Sequence, residues 1–101
     1  MTTKITLVIE NPADPAAFEK IYPQIHTLAA RLPGLQRTES AKVWPKEDGT
    51  PTPAHRTLDL YFESYDAASA AVATPVAREF FQRLIGTGVP FTGLFSDIEP
   101  E

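Results

Sequence analysis

The chain has 101 residues, 43% of them hydrophobic, which predicts one folded domain spanning residues 1–101 with a modest core. A net charge of −4 with no Lys/Arg cluster argues against partners such as DNA, RNA or anionic lipid. The absence of cysteine excludes disulfides, thiolate metal sites and cysteine nucleophiles.

Lys4 to Glu10 is short, β-branched and apolar nearly throughout, and predicts a central strand covered on both faces. Asp14 can cap a helix whose first position suits Pro15. Phe18, Ile21, Ile25, Leu28, Ala29 and Leu32 recur at spacings of three and four and predict its buried face. Pro23 lies inside that pattern and predicts a kink, because it removes the bond to the carbonyl of Glu19. Pro33-Gly34 predicts the stop.

Leu35 to Trp44 predicts a strand with polar groups on both faces, hence an edge or partly exposed strand. A polar, proline-rich loop follows over 45–53. The next strand is expected from His55 to Phe62, with Leu58, Leu60 and Phe62 alternating with polar neighbours. Ser64 caps an Ala-rich helix, and Thr74-Pro75 predicts a fresh cap and a restart that runs to Gly86. A last strand is expected over Val89–Ile98, with Phe91 and Phe95 on one face and Leu94 and Ile98 on the other. The order β-α-β-β-α-β specifies an α+β ferredoxin-like plait, an antiparallel sheet with its helices on one face. The other face then needs a cover, and a second copy of the chain is the simple one, so a homodimer is expected.

Tyr22 and His26 stand four residues apart and stack on one side of the first helix. Imidazole titrates near neutral pH and can move a proton at a carbon or oxygen, while a phenol can donate to a developing oxyanion. The pair is either that kind of site or a polar rim on a core helix. Trp44 and Tyr61 could wall an aromatic-ligand pocket, or pack in the core or an interface. His55 is expected at an exposed strand start, and Arg56 and Asp59 in surface or cross-strand pairs. Two distant histidines and no cysteine leave no ready set of metal ligands, and His26 is the one candidate axial ligand for haem. Gly86-Thr-Gly88 lacks the Lys-Ser/Thr of a phosphate loop, and no Gly-x-Ser-x-Gly elbow is present. No apolar run approaches a membrane span and no apolar leader opens the chain, which predicts a cytoplasmic protein.

Ile5-Thr-Leu-Val-Ile9, the helix Phe18 to His26 with Tyr22 inside it, Leu32-Pro-Gly-Leu35, Leu60-Tyr-Phe-Glu-Ser64 and Thr74-Pro75 together resemble the EthD-like family of dimeric α+β barrel proteins. Typical members have the histidine followed by one residue and then Pro-Leu; here Thr27-Leu28 follows His26 and the proline is Pro23. The resemblance implies a homodimer holding a small hydrophobic molecule between helices and sheet. Phe18, Trp44 and Tyr61 would border that molecule, with His26 as acid/base and Tyr22 as hydrogen-bond donor. The family's own activity is poorly defined; through related dimeric α+β barrels the resemblance points to a small cofactor-independent oxidoreductase/monooxygenase or isomerase/cyclase acting on a hydrophobic aromatic, lactone or carbonyl compound. The alternatives are a non-catalytic metabolite-binding protein and a haem-binding or haem-degrading one.

Overall fold

The computed structural model describes residues 1–100. Its elements are β1 (Thr3–Ile9), α1 (Pro15–Ala29), β2 (Arg37–Lys42), β3 (Arg56–Phe62), α2 (Tyr65–Val72), α3 (Pro75–Gly86) and β4 (Phe91–Asp97). The four strands form an antiparallel sheet in the order β2-β3-β1-β4. This is the expected ferredoxin-like α+β plait, with the second helix interrupted and restarted at Thr74-Pro75. All three predicted caps form: the side chains of Asp14, Ser64 and Thr74 accept from the backbone N–H groups of Ala17, Ala67 and Ala77. Each such cap contributes about 1 kcal/mol by satisfying an otherwise orphaned donor.

Register fixes two unlike faces. Ile5 pairs with Leu60 and Phe95, and Leu7 with Leu58 and Gly93, so these positions share one side of the sheet. Ile5, Leu7, Ile9, Leu58, Leu60 and Phe62 are buried there against Phe18, Ile25, Phe80 and Leu84. Lys4, Thr6 and Val8 point the other way and are only half-buried. The expectation that the first strand is covered on both faces is therefore corrected for the single chain. β1 is central in the sheet, but the helices shield one side of it.

Helix α1 runs unbroken through Pro23, whose side chain faces solvent, where water can reach the carbonyl that loses its bond. The helix ends at Ala29, and tighter turns carry the chain to Pro33; Gly34 then takes a positive φ of 77°. One predicted core position is corrected: Ile21 is 41% exposed while Tyr22 is 4% exposed. At about 100° per residue, Tyr22 lies about 40° from Phe18 on the flank toward β2, and Ile21 about 60° away on the flank toward α3. The α3 flank is incompletely closed, so Ile21 borders a groove. Strand β2 is an edge as predicted, though shorter, and Trp44 lies beyond its end.

Candidate functional site

The chemistry-bearing residues converge where α1 faces the free edge strand. Glu19, Tyr22 and His26 are spaced three and four apart, which lines them along one flank of α1. Opposite them, Thr38, Ser40 and Lys42 alternate onto the helix side of β2, because they pair with Leu60, Leu58 and Arg56. Arg56 shares that side with Leu58 and Leu60, and His55 immediately precedes it.

Two hydroxyls of β2 meet the two residues singled out in the sequence. The Tyr22 hydroxyl lies 2.7 Å from Ser40 Oγ, and His26 Nε2 lies 3.0 Å from Thr38 Oγ1. The rings of Phe18, Tyr22 and His26 stack in succession, with centroids 5.9 Å and 6.1 Å apart. One turn earlier, Glu19 takes a forked pair from Arg56, with Nε donating to Oε2 at 2.8 Å and Nη2 to Oε1 at 2.6 Å. His55 Nε2 is 3.1 Å from the same carboxylate and Lys42 Nζ 3.4 Å. Arg56 joins the two halves. Its Nη1 donates to Ser40 Oγ at 3.3 Å, and its guanidinium lies 4.2 Å from the centroid of the Tyr22 ring.

These contacts set the charge states. The Arg56 hydrogen bonds, partly opposed by burial and reinforced by His55, the Arg56 charge and Lys42, pull the Glu19 carboxyl down to about 2. Burial pushes the Tyr22 phenol above its ordinary 10, partly offset by its bond to Ser40 and the charge of Arg56. Tyr22 thus stays protonated at neutral pH, with a proton it can donate.

Of the five residues expected at the site, Phe18, Tyr22 and His26 come together and two do not. Tyr61 pairs with Arg37 and Lys4 on the opposite face of the sheet, where its hydroxyl donates to Glu39 and Arg37 covers its ring. Its phenol is raised mainly by that bond to the Glu39 carboxylate. Trp44 is 86% exposed. His55 and Arg56 are corrected as well. They are half-buried partners of Glu19, because Glu19 sits on the helix flank directly above them. The missed residues had a signal. Glu19 lies on the Tyr22–His26 stripe, and Arg56 shares the alternation of Leu58, Leu60 and Phe62.

The strip opens to solvent at Ser40. A groove of about 320 Å³ lies on the other flank of α1 and is lined by Ile21, Glu79, Gln82, Arg83, Gly86 and Thr87. Among the described residues no three His, Asp or Glu side chains converge as metal ligands would. His26 Nε2 meets Thr38 Oγ1, so axial ligation of haem through that nitrogen would have to break the contact. No helix of the described residues is long and apolar enough to cross a membrane.

No family model matches the sequence. An uncharacterized 11.0 kDa protein in the thcB-thcC intergenic region of Rhodococcus erythropolis is 38% identical over 73 residues, which are 71% of this chain and 70% of that protein. An ethyl tert-butyl ether d (EthD) family protein from Bacillus halodurans superposes with a TM-score of 0.89 at 17% identity, covering 98% of this chain and 100% of the other. SnoaB, a cofactor-independent oxygenase from Streptomyces nogalater, gives 0.72 at 16% identity, covering 99% and 95%. A dimeric ferredoxin-like protein of unknown function from Jannaschia gives 0.67 at 18% identity, covering 93% and 98%. The sequence match puts the chain in one family with the Rhodococcus erythropolis protein, and the chain shares the ferredoxin-like fold of the Bacillus halodurans EthD family protein.

Proposed function

We propose that this single-domain chain is a small cofactor-independent enzyme that works as a cytoplasmic homodimer on a hydrophobic aromatic, lactone or carbonyl compound. The observation that carries the reading is the pairing of a protonated, buried phenol with an imidazole along one flank of α1, each bonded to a hydroxyl of a solvent-facing edge strand. His26 would take a proton from a carbon next to a carbonyl. Tyr22, through or beside Ser40, would donate to the oxygen on which charge develops. The enolate so formed can be reprotonated at another position, an isomerase outcome, or can react with dioxygen, an oxygenase outcome. SnoaB, a structural neighbour, is by name a cofactor-independent oxygenase, which supports the second. Oxygen uptake during turnover separates the two outcomes.

The open sheet face carries Val8, Leu94 and Tyr61 beside the Arg37–Glu39 and Lys4–Asp59 pairs, and Leu94 and Phe95 of edge strand β4 are 52% and 43% exposed. Cover by a second copy would bury Val8 and Leu94; Tyr61 is already buried, and Phe95 lies on the helix side beside Ile5. Light scattering at micromolar concentration should return twice the chain mass, and a single-chain mass would refute the dimer. The test of function is a panel of aromatic lactones, phenols and ketones with wild type and His26→Ala. The variant should lose about 100-fold or more in turnover while remaining folded, its melting temperature lowered only by the loss of the Thr38 bond and the Tyr22 stack. Unchanged turnover would end the role of His26. Stabilisation of the wild type by these compounds without product would make the chain a binder instead.

A further inference from the structure

The charges along the strip do not balance. One carboxylate, Glu19, faces Arg56, Lys42 and His55. Among the described residues no second Asp or Glu is within ion-pair distance of these three side chains. With His55 neutral the local sum is +1 and with His55 protonated +2, in a chain whose net charge is −4. The strip is therefore a positive spot on an acidic protein. The Arg56 hydrogen bonds, with His55 and Lys42 beside them, hold the Glu19 carboxyl down at about 2, so its charge is present across the neutral range.

The hydrogen bonds give the positive spot a direction. Arg56 spends Nε and Nη2 on Glu19, and only Nη1 reaches toward Ser40. Ser40 Oγ can accept from Arg56 and from the protonated Tyr22, which fills both lone pairs and leaves its own proton to turn outward. Ser40 is exposed, and so is Lys42, whose side chain is 65% accessible. Two residues apart on one strand face, the two side chains start about 7 Å from each other, a span that one carboxylate can bridge with the help of the flexible lysine. His26 lies one strand position further along, against Thr38.

We infer that the molecule taken by this strip is a hydrophobic carboxylate, its anionic oxygens seated on Ser40, Lys42 and the Nη1 edge of Arg56, and its body turned toward His26. This rests on the reading of the strip as the substrate site and narrows the substrate class. A carboxylate two or three bonds from the reacting carbon would be fixed by charge-assisted bonds while His26 removes the proton.

Coumarin-3-carboxylate and its uncharged analogue coumarin-3-carboxamide provide a matched pair of probes. Titrated into the isotope-labelled full chain, the carboxylate should bind about tenfold tighter than the amide, with backbone shifts centred on residues 38–42 and 55–56. Lys42→Ala, a surface change, should remove most of that preference without altering the melting temperature, and Ser40→Ala should remove most of it while lowering the melting temperature as far as losing the Tyr22 bond does. The inference is overturned by equal affinities, by a preference that survives both substitutions, by shifts centred on the Ile21–Arg83 groove, or by failure of both probes to saturate. The two readings fail separately. His26-dependent turnover confined to uncharged compounds sinks the carboxylate and leaves the enzyme. A carboxylate preference at the strip in a chain that turns over nothing sinks the enzyme and leaves the carboxylate.

Discussion

The two flanks of α1 are built differently. Toward β2, Glu19, Tyr22 and His26 each contact a polar side chain of the sheet, and Arg56 ties the set together. Toward α3, Ile21 stands partly exposed over a groove whose polar lining includes Arg83, bonded to Gln24 at 3.0 Å and 4.0 Å from Glu79. The second flank offers more room and the first more chemistry. Room alone is a weak guide here. A surface groove between helices needs nothing more than short side chains, whereas a shifted carboxyl, a shifted phenol and an oriented imidazole on one stripe require register between a helix and two strands.

The comparison can be broken most strongly by activity. Once a substrate is in hand, His26→Ala should cost about 100-fold in kcat/KM, whereas Arg83→Ala on the groove should stay within about twofold. The next effect is on stability. Arg56→Met leaves the Glu19 carboxylate half-buried without its fork and should cost about 1–3 kcal/mol in urea unfolding. Ile21→Ser should stay within about 0.5 kcal/mol, because that side chain already meets water. Equal costs would mean that the two flanks are built alike.

Acid titration gives a smaller effect with a defined sign. Glu19 titrates near 2 when folded, against an ordinary 4.5. Its contribution is therefore complete above about pH 4.5 and is lost as the pH falls toward 2. Glu19→Gln should flatten that part of the acid limb, and an unchanged limb would show that the Arg56 fork does not persist in solution. Smallest is Tyr22→Phe, which removes one bond to Ser40 and should cost about 1 kcal/mol. It should also remove part of the alkaline limb. Because the folded phenol is raised above 10, the native state loses stability as the pH rises past that value.

The plait was legible because its signals are local. Asp14-Pro15, Ser64 and Thr74-Pro75 mark three helix starts whatever surrounds them, and alternation marks β3. Tyr22 and His26 were legible for the same reason, being neighbours on one helix. Their partners were not. Ser40 and Thr38 reach the site only through the β2–β3 register, which no short window of sequence contains, whereas the face of Arg56 follows from the alternation of β3 itself. Tyr61 was misdirected by the same gap, since its aromatic character shows in the sequence and its sheet face follows from pairing. Trp44 was placed by a strand end drawn two residues too long.

The central claim is that the β2 flank of α1, and not the groove toward α3, is where a hydrophobic ligand meets the protein. Titration of isotope-labelled protein with uncharged coumarin tests it apart from any question of charge. The account predicts saturable shifts at His26, Thr38 and Ser40 that are lost in His26→Ala. Shifts at Ile21, Gln82 and Thr87 that persist in that variant would contradict it.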